Sequence, residues 1–242
     1  MKEWREVMWG ERTREEIPLW AEKGTVVIVP IGSIEQHGAA LPINTDNDTV
    51  EYVAQRAARL LDDTPVLVTP LIPFGISPHH MMFPGTITLS VETAVRLLRE
   101  VCSCIVAHGF ERILILSGHG GNRDTVKAAA LEMTHTMHRQ IEADCWFYFV
   151  SDLIKEVREG PVDTVGHAGE MEASCIMALS PESVRRDRMV LVEGISDDPT
   201  LGSPEKGWKV LNGASEAVAA YVRQLAARPG RKVVGIQTVE KK

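Results

Sequence analysis

The chain has 242 residues, of which 44% are hydrophobic and 24% charged, as in an ordinary soluble globular protein. Its net charge of −7 gives no support for a surface that binds duplex nucleic acid. No apolar run approaches the roughly 18 residues of a membrane span, and no signal segment is recognisable. The four cysteines form no CxxC pair, which favours free thiols in a reducing compartment. We therefore expect a cytoplasmic protein of one domain, residues 1–242, that binds neither nucleic acid nor membrane.

Strand and helix signals alternate over most of the chain. After an amphipathic opening at 3–22, β-branched apolar runs predict strands, and apolar residues at helical spacing predict helices. The strands are expected at 25–31, 65–70, 112–117 and 145–150, and the helices at 48–62, 90–107, 122–139, 167–179 and 213–227. Residues 71–89 have the turn formers of an irregular loop, 187–212 give no regular pattern, and 232–236 fit an edge strand or a surface segment. The alternation predicts an α/β fold, a three-layer α/β/α sandwich around a mainly parallel sheet.

Polar side chains cluster where two of these strands end. Glu35 and His37 follow the first strand, and Asp46 lies a short loop further on. His119 follows the third strand in Ser-Gly-His-Gly-Gly-Asn, where the glycines allow close approach of a ligand. Ligands collect outside the carboxyl ends of parallel strands, so the sheet should bring these groups together. Carboxylates and imidazoles in one place are typical of a Zn, Mn or Fe site.

Asp46 has two carboxylate oxygens and could bridge two cations. Glu35 and His119 would complete one site, and His37 with a further carboxylate the other. Two such cations would lower the pKa of a shared water and polarise a substrate carbonyl. A nearby His or Glu could then pass a proton to a leaving nitrogen.

Other sites fit the sequence less well. The glycines around His119 resemble a phosphate loop but lack its Lys-Ser/Thr ending. Ser33, Ser77 and Ser117 have no G-x-S-x-G context, which disfavours a serine hydrolase. A redox or sugar-nucleotide enzyme would need a GxGxxG after the first strand, which the sequence does not have.

Taken together, the motifs resemble those of the creatininase (creatinine amidohydrolase) family. The matching stretches span about two thirds of the chain in the family's order. They are residues 30–38, 41–46, 83–86 (Phe-Pro-Gly-Thr), 117–122 and 167–170 (His-Ala-Gly-Glu). The resemblance implies a two-metal centre, hydrolysis of a cyclic or linear amide C–N bond, and a homohexamer.

By resemblance, Glu35, Asp46 and His119 would hold one divalent ion, and His37 and Asp46 the second. In creatininase the second ion also takes a Glu two residues after the ligand His, but Gly121 occupies that position here. Glu170 is our expected replacement, as a ligand and as a catalytic group. Glu172 is the alternative, because residues two apart on a helix point to different sides.

The resemblance also assigns the remaining site residues. His167 would be the catalytic proton carrier, and the substrate-binding residues would be Ser77, His80, Gly120 and Asn122. The Gly-Gly-Asn form is similar to that of the deformylase, peptidase-like and carbocyclic-sugar hydrolase branches. We expect a metal-dependent hydrolase of a non-peptide amide, either a cyclic amide or a formamide. The alternatives are a peptidase-like or sugar-ring hydrolase, or a non-catalytic module that binds a ligand.

Overall fold

The fold is built on a parallel four-stranded sheet. A computed structural model describes residues 2–229, and within them the strand order is β2-β1-β3-β4. The strands are β1 (Val26–Ile31), β2 (Val66–Val68), β3 (Arg112–Ser117) and β4 (Gln140–Cys145). β1 pairs in parallel with β3 from Val26↔Arg112 to Ile31↔Ser117. The carboxyl ends of both strands therefore lie side by side, and the loops that follow them carry the predicted site residues.

Helices cover both faces of the sheet. Over residues 2–229 they are α1 (Trp4–Val7), α2 (Glu16–Glu22), α3 (Thr45–Arg59), α4 (Val91–Ala107), α5 (Arg123–Thr136), α6 (Ser151–Val157), α7 (Glu170–Leu179) and α8 (Pro204–Ala227). The hydrophobic cluster on one face includes residues of α3, α7 and α8. The cluster on the other face includes residues of α4 and α5, with α2 packed against it. The predicted three-layer α/β/α fold is confirmed.

Strand β1 is buried on both faces, which accounts for its uninterrupted apolar sequence. Val26 and Ile28 face one core, whereas Val27 and Val29 face the other. A strand covered on both faces has apolar side chains throughout. β1 and β3 accordingly lie within the predicted ranges.

The fourth strand was predicted wrongly at 145–150. β4 ends at Cys145, and Trp146–Val150 form a 3-10 helix. β4 is an edge strand in which only Ile141 and Cys145 are buried. Its sequence therefore lacks the apolar run from which the inner strands were predicted.

The last helix begins earlier than predicted, at Pro204 instead of residue 213. Ser203 caps it by accepting a hydrogen bond from the Lys206 amide. Gly207 weakened the helical pattern, but a Cβ there would lie 2.0 Å from the Ser174 carbonyl oxygen of α7. The glycine therefore permits a close helix crossing.

Two further predictions concern the ends of the chain and membranes. The segment 232–236 lies outside the described residues. No helix within residues 2–229 combines the length and hydropathy that crossing a bilayer requires.

Candidate metal centre

Buried carboxylates and imidazoles meet at the carboxyl ends of β1 and β3. Glu35 and His37 lie on the loop after β1, and His119 lies on the turn after β3. Asp46 belongs to the first turn of α3, because that helix begins at Thr45 instead of the predicted residue 48. Glu172 reaches the same place from the first turn of α7, and all five side chains are buried.

His119, Glu35 and Asp46 form the first set of donor atoms. His119 Nδ1 lies 3.2 Å from Glu35 Oε2 and 3.3 Å from Asp46 Oδ2. His119 Nε2 donates to the Ile76 carbonyl oxygen at 3.2 Å. This second bond orients the ring and leaves Nδ1 as the nitrogen that would ligate a cation.

His37, Asp46 and Glu172 form the second set. His37 Nε2 lies 3.6 Å from Asp46 Oδ1 and 3.4 Å from Glu172 Oε2. His37 Nδ1 donates to the Glu35 carbonyl oxygen at 3.1 Å, which leaves Nε2 to face the two carboxylates. The two oxygens of Asp46 thus face different histidines, one in each set.

Several of these donor atoms have no hydrogen-bond partner in the described part of the chain. They are buried, and they are Glu35 Oε1, His37 Nε2 and Asp46 Oδ2. Leaving a buried polar atom unpaired costs about 1–3 kcal/mol, and more when the group is charged. Within residues 2–229, three groups of imidazole and carboxylate donors, each with its atoms within 4.8 Å of one another, fit a divalent cation. They are Glu35 with His79 and His119, Glu35 with His37 and His167, and His37 with Asp46 and Glu172.

Burial and neighbouring charge act in opposite directions on this cluster. Burial alone would lower the pKa of His119, but hydrogen bonds and charge from Asp46 and Glu35 raise it to about 10. Burial also disfavours charged His37, yet Glu172 and Asp46 raise the pKa of His37 well above its ordinary value. Two imidazolium groups therefore compensate the carboxylates, and a divalent cation would replace their protons.

Glu170 lies outside the cluster, contrary to its predicted place beside the second ion. Its Oε1 accepts from Lys206 Nζ at 2.7 Å, and its Oε2 accepts from the Gly160 amide at 2.7 Å. The helix turns about 100° per residue, so Glu170 and Glu172 leave α7 in widely different directions. The structure brings Glu172, and not Glu170, to His37.

Gly121 has no room for the Glu side chain that the family resemblance led us to look for at this position. A Cβ there would lie 2.3 Å from His119 Nε2 and 2.8 Å from the Ile76 carbonyl oxygen. The glycine is thus required by the same contact that orients His119.

Two further histidines face the unpaired oxygen of Glu35. His167 Nδ1 lies 3.3 Å and His80 Nε2 lies 3.6 Å from Glu35 Oε1. Burial, with the charge of His167, lowers the pKa of His80 to about 4, and burial also lowers the pKa of His167. Both rings are therefore neutral near neutral pH.

Gln36 is a contact of both histidines that the sequence did not reveal. Its backbone oxygen accepts from His167 Nε2 at 2.9 Å, and its side-chain Nε2 lies 3.1 Å from His80 Nδ1. Its position between Glu35 and His37 was the available signal, but its neighbours come from distant segments.

The predicted substrate-binding residues divide into two pairs. Gly120 and His80 line a cavity of about 380 Å³ next to the cluster. Ser77 and Asn122 are fully buried behind it. Ser77 donates to Glu35, and Asn122 Nδ2 donates to the Gly32 carbonyl oxygen at 3.0 Å, so both support the loops that carry the donors.

Glycines, histidines and aromatic rings dominate the cavity wall. Within residues 2–229, no Lys or Arg side chain is part of it. The wall comprises His79, His80, His119, Gly120, Gly121, Phe147, Tyr148, Thr164, Val165, Gly166, His167, Glu172, Gly194, Ile195 and Ser196.

Comparison with known proteins identifies the family. The family model described as creatinine amidohydrolase (creatininase) matches residues 10–222. The chain belongs to the creatininase family. The resemblance in the sequence motifs is thereby confirmed over most of the chain.

Named relatives of this creatininase-family chain are hydrolases. The chain is 29% identical to the mycofactocin precursor peptide peptidase of Mycolicibacterium smegmatis, and the match covers 81% of this chain and 85% of the peptidase. It is 26% identical to the creatinine amidohydrolase of Pseudomonas putida, over 77% and 76% of the two chains.

Solved creatininases share the fold. A crystal structure of creatinine amidohydrolase superimposes with a TM-score of 0.78 at 24% identity, covering 93% of this chain and 99% of that one. Among the solved creatininases of this fold, one is a manganese form and another is a Zn–Zn type.

Proposed function

We propose that the protein is a metal-dependent hydrolase that cleaves an amide C–N bond at a binuclear centre. Glu35, Asp46 and His119 would hold one ion, and His37, Asp46 and Glu172 the other. The observation that carries the proposal is the division of Asp46, with Oδ2 facing His119 and Oδ1 facing His37. This is the arrangement that a bridging carboxylate needs.

The donor set suits zinc, manganese or iron, since it combines imidazole nitrogen with carboxylate oxygen. When bound, a pair of such ions would polarise the substrate carbonyl and lower the pKa of a water molecule. The chain's own groups would supply orientation and proton transfer.

His167 is the proposed proton carrier. Its Nε2 lies 2.9 Å from the Gln36 carbonyl oxygen and 2.9 Å from the Gln36 side-chain nitrogen. In the tautomer whose Nε2 donates to that carbonyl oxygen, Nδ1 is left to accept a proton on the side of Glu35. Because burial lowers the pKa of His167, the neutral ring is available as a base near neutral pH. After it has taken a proton, the same nitrogen can return it to the leaving nitrogen of the amide.

The cavity favours an uncharged substrate. No Lys or Arg side chain from residues 2–229 lines the cavity. Arg123 lies behind the wall, with its guanidinium 3.7 Å from the centre of the Tyr148 ring and its Nε 2.8 Å from Asp144 Oδ1. Away from the proposed ions, a phosphate ester or a free carboxylate would therefore find no Lys or Arg partner in the cavity wall of the described residues.

A non-peptide amide, either cyclic or a formamide, is the first candidate substrate. A short peptide is the second, because the similarity to the M. smegmatis peptidase favours it. A hydrolysis panel of neutral lactams, formamides and short peptides separates the two. Binding of a panel member without turnover would instead support a non-catalytic module.

Metal analysis tests the binuclear centre independently of the substrate. We expect protein purified without chelator to carry about two equivalents of Zn, Mn or Fe. Asp46→Ala should lose both ions, because each donor set uses one of its oxygens. Asp48→Ala is the matched control, since Asp48 lies in the same helical turn but bonds to Asn44. Full metal content in Asp46→Ala would refute the bridging role.

The hexameric assembly and the cytoplasmic location remain predictions. Light scattering after size-exclusion chromatography measures the first, and a mass other than six chains would contradict it.

A further inference from the structure

A buried ion pair lies beside the candidate site without belonging to either donor set. Arg158 Nη2 donates to Asp197 Oδ2, and the two side chains are 4% and 1% exposed. The residues come from irregular segments, one after α6 and the other before the 3-10 helix Pro199–Leu201. A buried ion pair contributes little net stability by itself, because desolvation offsets the attraction. Its other contacts therefore indicate what it does.

Asp197 holds the beginning of α7. Its Oδ1 accepts from the Glu170 amide at 3.3 Å, the first amide of the helix. Gly169 at the N-cap position has no side chain that could do this, and a Cβ there would lie 1.3 Å from Asp197 Oδ1. Asp197 thus supplies the acceptor from another segment.

Ser196 holds His167 by two reciprocal bonds. The Ser196 amide donates to the His167 carbonyl oxygen at 2.8 Å, and the His167 amide donates to Ser196 Oγ at 2.6 Å. Ser196 Oγ in turn lies 3.3 Å from Asp197 Oδ1. The hydroxyl therefore connects the ion pair to the backbone of the proposed proton carrier.

The turn held in this way carries both His167 and Glu172. Ala168 has a φ of 54°, a conformation that costs a non-glycine residue about 1–2 kcal/mol. Its amide donates to Glu172 Oε2, the oxygen that faces His37. A relaxed Ala168 would move the His167 backbone and withdraw the amide that orients Glu172.

Arg158 anchors the other side of the turn. Its Nε donates to the Gly160 carbonyl oxygen at 3.2 Å, and its Nη1 donates to the Thr164 carbonyl oxygen. Thr164 belongs to the cavity wall. The guanidinium thus fixes both the wall and Asp197.

We propose that Asp197, anchored by Arg158 and linked through Ser196, is a positioning residue that fixes His167 and Glu172 by holding the turn 167–169. This inference rests on the proposed function, and it adds a role for Arg158 and Asp197, which belong neither to the donor sets nor to the cavity wall. Asp197→Ala should weaken Mn²⁺ binding at the second set about 10–100-fold, as loss of an outer partner of a ligand usually does. The first equivalent, held by Glu35, Asp46 and His119, should bind as in the parent.

The test is a two-site Mn²⁺ titration by isothermal calorimetry and electron paramagnetic resonance, with kcat and KM on any panel amide that is turned over. Asp197→Asn keeps an oxygen in the Oδ1 position and should lose less than Asp197→Ala. Ser196→Ala should lower kcat about 10-fold or more, because it releases the His167 backbone, with a smaller change in KM, because only one hydroxyl is removed from the cavity wall.

Val218→Ala in the α8 core is the control, since it destabilises the fold away from the turn. Equal loss of the second Mn²⁺ in that variant would overturn the proposal, as would parental Mn²⁺ binding in Asp197→Ala or an unchanged kcat in Ser196→Ala. If Asp197→Ala does not fold, the Mn²⁺ titration of Asp197→Asn and the kinetics of Ser196→Ala decide the question. Failure of every amide to react would refute the proposed function, but the Mn²⁺ titration would still test the positioning role.

Discussion

Glu172 lies at the place beside His37 that the sequence had assigned to Glu170, and this difference gives the sharpest test of the site. The two residues are identical in type, lie two positions apart on α7, and are both buried. Glu172 Oε2 faces His37 Nε2 at 3.4 Å, whereas Glu170 Oε1 faces Lys206 Nζ at 2.7 Å. Glutamine in either place keeps the size and removes the charge.

Glu170→Gln should destabilise the fold and spare the metal. The carboxylate is fully buried and also accepts from the amides of Glu159 and Gly160. Breaking a buried pair costs about 3–5 kcal/mol, and we expect about 3 because Lys206 keeps its contact with the exposed Glu159. For a chain of this size, this corresponds to a fall in melting temperature of about 6–12 °C.

Glu172→Gln should have the opposite effect. The amide oxygen can still accept from Ala168, and His37 can lose its proton once the charge beside it is gone, so the melting temperature of the metal-free protein should fall by less than in Glu170→Gln. Loss of a direct ligand should weaken binding of the second ion by more than about 100-fold, which is the upper limit for loss of a residue that only hydrogen-bonds to a ligand. Calorimetric metal titration and thermal melting of both variants give the result. Metal loss in Glu170→Gln with full metal in Glu172→Gln would refute the assignment.

Other parts of the cluster give further predictions. Gly121→Ala should displace His119 and weaken binding of the first ion, since the new Cβ would lie 2.3 Å from His119 Nε2. Gly120→Ala is the control and should bind metal as the parent does, because the nearest neighbour of its Cβ is at 3.8 Å. Equal metal content of the two variants by mass spectrometry would contradict this prediction. The pH dependence of the metal-free protein follows from His119, whose pKa is raised from 6.5 to about 10. Protonated His119 stabilises the fold, and this contribution is complete below about pH 6.5 and is lost as the pH rises through about 10. The melting temperature should therefore fall over this interval. His119→Gln should flatten that fall, and an unchanged slope would show that the buried carboxylates are compensated by another group.

The positions of the loops that carry the candidate ligands could be predicted because their strands lie inside the sheet. β1 and β3 have apolar residues on both faces, and their parallel pairing brings Glu35, His37 and His119 to one edge. Asp46 was found for the same reason, although its helix begins earlier than the sequence indicated.

The missed features depend on contacts between distant segments. β4 was hidden because an edge strand keeps polar residues, and α8 was shortened because Gly207 serves a helix crossing. Helical geometry left Glu170 and Glu172 as alternatives, and only the orientation of α7 decides which one reaches His37. Asp197 and Arg158 come from irregular segments, so no periodic pattern could pair them.

The two walls of the cavity differ in how freely they can change. On the donor side, β3 passes so close to α3 that a Cβ on Gly118 would lie 2.2 Å from the Asp46 carbonyl oxygen. The opposite wall consists of irregular segments around Thr164–Gly166 and Gly194–Ser196. Outside the contacts of Thr164 and Ser196 that hold the turn 167–169, substitutions in the irregular wall should reshape the cavity without moving a donor group, whereas most substitutions on the donor side would displace one. Such a division lets a lineage exchange substrates while it conserves its chemistry, in keeping with relatives named for substrates as different as a precursor peptide and creatinine.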